Sequence, residues 1–148
     1  MKKWSGALMV LLLFSSIAFA QDENEINAVK KVVKESYFNG AFNKLDTEAM
    51  RAGFHHTFAI FSAKGKEISA YPIDDWIAGI EKRKQSADFD IDKSKMDCKF
   101  ISADVTGGCA AVKVELSREG KRVYTDYLSL LKFEDGWKIV AKVYHRHK

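Results

Sequence analysis

The chain has 148 residues, 47% of them hydrophobic and 30% charged, with 24 basic against 20 acidic side chains and a formal net charge of +4. That length and balance fit one globular domain and exclude collagenous, disordered and multi-domain organisation. Charges of both signs alternate along the chain instead of gathering on one basic face, so nucleic acid is not an expected partner.

In chain order, Lys2 and Lys3 precede an apolar run from Ala7 to Phe14, and Ala18-Phe19-Ala20 supplies a small-residue cleavage site. Residues 1–20 therefore read as an export signal removed near Ala20. The run is short for a bilayer span, and no cysteine at the cut is there to carry a lipid, so no membrane anchor is expected. The expected product, residues 21–148, is a single secreted or periplasmic domain of 128 residues with a net charge of +2.

From Asn24, the apolar residues Ile26, Val29, Val33 and Tyr37 recur at helical spacing, and the helix is expected to stop near Gly40. Asp46 is placed to cap a second helix, Thr47 to Ala52, closed by Gly53. The aromatic and β-branched run Phe54 to Phe61, with a turn at Lys64-Gly65 and a return over Lys66 to Ser69, predicts a hairpin. Pro72 opens a third helix with Ile73, Trp76, Ile77 and Ile80 along one stripe. Asp74 and Asp75 in its first turn and Lys82, Arg83 and Lys84 in its last complement the helix dipole.

Gln85 to Lys95 reads as a polar loop. Asp88, Asp90 and Asp92 alternate there like the start of a calcium loop, but Lys93 and Lys99 stand where such a loop needs glycine and a bidentate acid. From Met96 onward, turns at Thr106-Gly107-Gly108, Arg118-Glu119-Gly120 and Glu134-Asp135-Gly136 separate four strand-like runs. A sheet of that size needs its apolar face covered, and the helices are the available cover. The expected fold is α+β, a strongly curved antiparallel sheet wrapped over three helices in the order α-α-β-β-α-β-β-β-β.

Cys98 and Cys109 lie on two arms of one predicted hairpin. Cys109 falls beside the turn near Thr106, and Cys98 lies roughly 25 Å up the other arm at strand rise. A disulfide needs Cα atoms within about 7 Å, so no intramolecular bridge is expected; both thiols are buried, or one is available between chains.

The order of elements resembles the nuclear transport factor 2-like superfamily. The runs Tyr37-Phe38-Asn39-Gly40, Phe54-His55, Tyr124-Thr125-Asp126-Tyr127-Leu128-Ser129-Leu130-Leu131 and Trp137-Lys138-Ile139-Val140-Ala141-Lys142 resemble its putative lumazine-binding, SnoaL-like branch, over essentially all of residues 21–148. The resemblance implies a cystatin-like, cone-shaped sheet with a cavity between sheet and helices. It also implies dimerisation through the outer face of the sheet, and a superfamily in which isomerases and dehydratases stand beside non-enzymatic members.

Several residues are candidates for the site. With a two-residue loop at Asp135-Gly136, Glu134 pairs with Trp137 and Asp126 falls opposite His145, on a face shared with Leu128, Leu130, Ala141 and Val143; that is an acid/base arrangement. With a three-residue loop and a bulge at Gly136, Asp126 falls against Tyr144 and is a structural acceptor. His55 and His56 point to opposite faces, so one can meet the cavity; His55, within the family's run, is the candidate base or ligand contact, the alternative being a strand-end histidine. His145 and His147 share a face, but no third ligand is placed for a metal. Tyr37, Phe54, Trp76 and Tyr124 are candidates for the wall of a site for a small apolar or planar molecule, with core as their other role. No cofactor is expected. The leading expectation is a non-catalytic ligand-binding domain; the alternative is an isomerase or dehydratase using His55 or Asp126/His145. Tyr127, Ser129, Leu131 and Phe133, or the opposite set, form an outer sheet face apolar enough to motivate a homodimer.

Overall fold

The computed structural model describes residues 23–148, and the expected export signal lies outside the described residues. Helix α1 covers residues 23–43. It is α-helical to residue 32 and widens to π-helical winding over Val33–Asn43, where the Lys44 N–H donates to the carbonyl of Asn39 five residues back. Gly40 does not stop it. The chain leaves the helix at Leu45, whose φ is 51°, and Gly40 instead allows a close approach: a Cβ there would lie 2.8 Å from Met50 Cγ.

Helix α2, Thr47–Gly53, is capped by Asp46, whose side chain accepts from the Ala49 N–H at 3.0 Å. Strands β1 (Phe54–Lys64) and β2 (Glu67–Pro72) form the hairpin, and α3 runs over Ile73–Lys84 with Ile73, Ile77 and Ile80 buried. The acidic loop holds a short turn at Ile91–Ser94, in which Asp90 accepts from the Asp92 N–H and Asp92 pairs with Lys95. Strands β3 (Asp97–Thr106), β4 (Cys109–Arg118), β5 (Lys121–Phe133) and β6 (Gly136–Arg146) complete the chain.

Among the described residues these strands form one curved, open sheet in the order β2-β1-β6-β5-β4-β3. It is mixed, not wholly antiparallel. β1 runs parallel to β6, because the chain enters β1 from α2 at the end of the sheet where β6 also starts; every other pairing is antiparallel. The β3/β4 register sets Cys109 opposite Thr106 and Cys98 opposite Leu116, and both thiols are free. Cys109 is exposed and Cys98 half-buried.

The core lies between the concave face of the sheet and the helices. Val29, Val33, Tyr37 and Phe38 from α1 meet Val112, Val114, Leu116, Leu128, Leu130 and Ile139 from the sheet. Glu25 fastens α1 to the sheet, accepting from the Trp137 indole at 2.8 Å and from Lys132 at 2.6 Å. Those donors hold the Glu25 carboxyl below the usual carboxylate range.

Candidate functional site

The last hairpin decides what faces the interior. Its loop is Glu134-Asp135, one residue earlier than the sequence expectation, with Phe133 opposite Gly136 and Lys132 opposite Trp137. Leu130 pairs with Ile139, but Ser129 pairs with Ala141, so Val140 is an extra residue, a bulge in β6. One added residue reverses the facing of everything beyond it. Trp137 and Ile139 point inward before the bulge, and Lys142 is buried after it.

The Asp126/His145 pair therefore does not form. Asp126 lies opposite Tyr144, and His145 is opposite Thr125 and exposed. Nor do Ala141 and Val143 share the inner face with Leu128 and Leu130, since the bulge exchanges them for Lys142 and Tyr144. The alternative register, with Asp126 against Tyr144, is the one present, although its irregularity sits at Val140 and not at Gly136.

Sequence reasoning did not single out Lys142, which is 6% exposed, nor Tyr144 beside it. The Lys142 ammonium donates to Tyr37 Oη at 2.7 Å and lies 3.4 Å from Asp126 Oδ2. The Tyr37 hydroxyl donates in turn to Asp126 Oδ2. Tyr37 and Asp126 are both fully buried, and among the described residues Asp126 Oδ1 has no hydrogen-bond partner. Three rings surround the amine, with centroids 5.0 Å (Tyr37), 5.4 Å (Trp76) and 5.2 Å (Tyr144) from Nζ.

Burial pushes Lys142 below the ordinary lysine range, with the neighbouring Asp126 carboxylate pulling it back upward. Tyr37 is held well above the ordinary phenol range by burial and then by the negative charge of Asp126. The buried trio thus contains an amine pushed toward its neutral form and a phenol kept protonated.

Beside this trio opens a cleft of about 310 Å³, lined by Phe42, Ile60, Ser62, Tyr71, Trp76, Tyr124, Lys142 and Tyr144. α1 supplies Phe42, α3 supplies Trp76, and strands β1, β2, β5 and β6 supply the rest. Of the sequence candidates, Trp76 and Tyr124 line the cleft, and Tyr37 and Asp126 bond to or face the Lys142 amine that does. Phe54 belongs to the core, its ring 4.7 Å from Phe58 and 5.8 Å from Trp76.

His55 does not reach the cleft. β1 brings Ile60 and Ser62 there, whereas His55 lies at the other end of the strand, its ring stacked 4.9 Å from Phe133 and its Nδ1 2.7 Å from Thr57 Oγ1. The irregular β1/β6 register between Phe54 and Ala59 separates the two ends. His145 and His147 have ring centroids 4.7 Å apart, and His147 bonds to Thr125 Oγ1 at 2.8 Å. Among the described residues no group of three or more His, Cys, Asp or Glu side chains is placed to hold a metal ion.

With the geometry in place, comparison with known proteins defines the class: an α+β domain with the nuclear transport factor 2-like fold, in which residues 24–145 match the family described as putative lumazine-binding. The chain belongs to that family. It is similar to three solved proteins described as NTF2-like and of unknown function. The protein from Silicibacter pomeroyi DSS-3 is 26% identical, with 84% of this chain and 98% of that one covered and a TM-score of 0.64. That from Shewanella baltica OS155 is 25% identical, with 84% and 95% covered and a TM-score of 0.64. That from Methylobacillus flagellatus KT is 26% identical, with 84% and 94% covered and a TM-score of 0.63. No curated protein matches the chain.

Proposed function

We propose that the chain is an exported, non-catalytic receptor for a small planar molecule, held in the cleft against Trp76, Tyr124 and Tyr144. The observation that carries this reading is an aromatic-walled cleft of about 310 Å³ with a buried amine in its wall. That volume is at the small end of ligand sites, and the mixture of rings with one polar anchor is their usual chemistry. Lumazine, the compound in the family's description, is a planar bicycle whose carbonyl oxygens suit the Lys142 donor. The placement of His55 and His145 outside the cleft supports binding over isomerase or dehydratase chemistry, because neither imidazole reaches a molecule seated there.

Titration with lumazine, followed by tryptophan fluorescence, tests the reading. The expected result is saturable quenching, reduced by Trp76→Phe, with affinity weakened about tenfold by Tyr144→Ala, a loss of about 1.4 kcal/mol. Binding that neither substitution alters would contradict the placement.

Export is supported by the composition of residues 1–20, and the secreted product is expected to begin at Gln21 when its N-terminus is sequenced; retention of Met1 in the extracytoplasmic fraction would contradict it. Homodimerisation is supported by the outer sheet face, where Tyr127, Leu131, Phe133 and Val143 are between 37% and 50% exposed. Tyr127 and Val143 are direct cross-strand partners, and Phe61 pairs with Val143 from the other side, which makes the apolar strip continuous over three strands.

A further inference from the structure

We infer that Lys142 captures a small carbonyl compound, an aldehyde or ketone, as a reversible imine within the cleft. This rests on the cleft being the binding site and adds what chemistry its amine performs there.

A lysine placed only for stability would be an uneconomical choice at this position. A buried ion pair is often no better than apolar side chains of similar volume, and here one oxygen of Asp126 has no partner among the described residues. The β6 bulge at Val140 is what brings Lys142 inward; without it, Ala141 and Val143 would occupy the inner face. The backbone irregularity thus places an amine in the wall of an aromatic cleft, with a phenol 2.7 Å away that bonds onward to a carboxylate.

That array has the parts imine formation needs: a desolvated amine, a proton path and a counter-ion. The Lys142 ammonium passes a proton through Tyr37 to Asp126, and the free amine adds to the carbonyl carbon. The carbonyl oxygen takes a proton from the new nitrogen, giving a neutral carbinolamine. Asp126 returns its proton through Tyr37 to the hydroxyl; the C–O bond breaks and water leaves. The product is an iminium facing the Asp126 carboxylate. Overall, ammonium plus carbonyl gives iminium plus water, with no change of oxidation state and no further reactant. Hydrolysis reverses each step, so the event is covalent retention and not turnover.

The test uses the unaltered chain, benzaldehyde as a planar carbonyl probe and sodium cyanoborohydride, which reduces an imine to a stable amine. Peptide mapping is expected to find Lys142 modified at least about tenfold faster than any other lysine, because the cleft holds the aldehyde next to the amine. Lys142→Met alone would strand a buried carboxylate, so the control is Lys142→Met with Asp126→Leu, checked for native circular dichroism; it is expected to lose the selective product. Modification spread over surface lysines with Lys142 untouched would overturn the inference. Saturable quenching of Trp76 by benzaldehyde with Lys142 unmodified would overturn capture alone, whereas absence of both quenching and labelling would overturn capture together with the binding reading.

Discussion

Lys142 Nζ lies 3.4 Å from Asp126 Oδ2, so a cation from β6 and an anion from β5 face each other where almost no solvent reaches either. They are not directly opposite in the ladder: Asp126 faces Tyr144, and Lys142 faces Leu128. The pair is diagonal across two strands, and Tyr37 from α1 bridges it. Helix and sheet are joined through this contact as well as through apolar packing, and the cleft is built against it.

Removing one charge of this pair is expected to cost more than removing both. Lys142→Met leaves Asp126 buried without its cation and should lower unfolding free energy by about 3–5 kcal/mol, whereas Lys142→Met with Asp126→Leu should recover most of that loss. Urea denaturation of the two single variants and the double variant measures the coupling. Additive losses would mean that the two groups do not interact as described.

Stability should turn with pH in the alkaline range. Because Lys142 is depressed, the unfolded chain binds a proton the folded chain has released, and stability rises with pH up to the unfolded lysine value of about 10.4. Tyr37 has the opposite sign: its raised value means that the unfolded chain loses the phenol proton first, so stability falls as pH climbs beyond about 10. Denaturation midpoints against pH should show a smaller alkaline fall in Tyr37→Phe. The double variant Lys142→Met/Asp126→Leu should lack the wild-type gain below about pH 10. Parallel curves for all three proteins would contradict these assignments.

Gly40 in α1 and Gly53 in α2 should respond differently to an added methyl group. A Cβ at Gly53 would lie 1.9 Å from Ser36 Oγ and 2.5 Å from Ser36 Cβ, so Gly53→Ala forces α1 and α2 apart and should cost about 1–3 kcal/mol. A Cβ at Gly40 meets the flexible Met50 side chain at 2.8 Å and the Asp46 carbonyl at 3.3 Å, a milder clash than at Gly53, and alanine's helix preference offsets the crowding by about 1 kcal/mol. Thermal denaturation should therefore rank Gly53→Ala clearly below Gly40→Ala; the reverse order would contradict the packing.

The outer face should carry self-association. Tyr127→Glu with Val143→Asp places like charges on facing positions of β5 and β6 and should convert a dimer to a monomer in sedimentation at high micromolar concentration, with unchanged circular dichroism. A wild-type protein that sediments as a monomer there, or a variant that remains dimeric, would contradict the proposed interface.

The α+β architecture was legible because its signals are local: the Asp46 cap, the Pro72 helix start, the stripe of Ile73, Ile77 and Ile80, and glycines at tight turns. Alternation narrowed the outer face to Tyr127, Ser129, Leu131 and Phe133 or the opposite set, of which the first is the exposed one, and it also gave the separation of Cys98 from Cys109. What alternation cannot carry past is an extra residue. The adjacent small apolar residues Val140 and Ala141 interrupt the pattern begun by Trp137 and Ile139, and this was the available signal for a bulge. Reading straight through it places His145 inside and Lys142 outside, the reverse of the fold. His55 takes the strand-end alternative, at the start of β1; its facing is a local matter, but its distance from the cleft depends on where along β1 the sheet meets α3. The parallel β1/β6 pairing has no local mark at all, because it joins the first and last strands of the chain.

Native mass spectrometry of protein purified from its own host shows whether the cleft is occupied. A bound small molecule is expected on the unaltered chain, and its loss from a folded Trp76→Ala/Tyr144→Ala variant prepared in parallel. A chain that carries no small molecule, or a variant that retains it in full, would contradict the cleft as the receptor site.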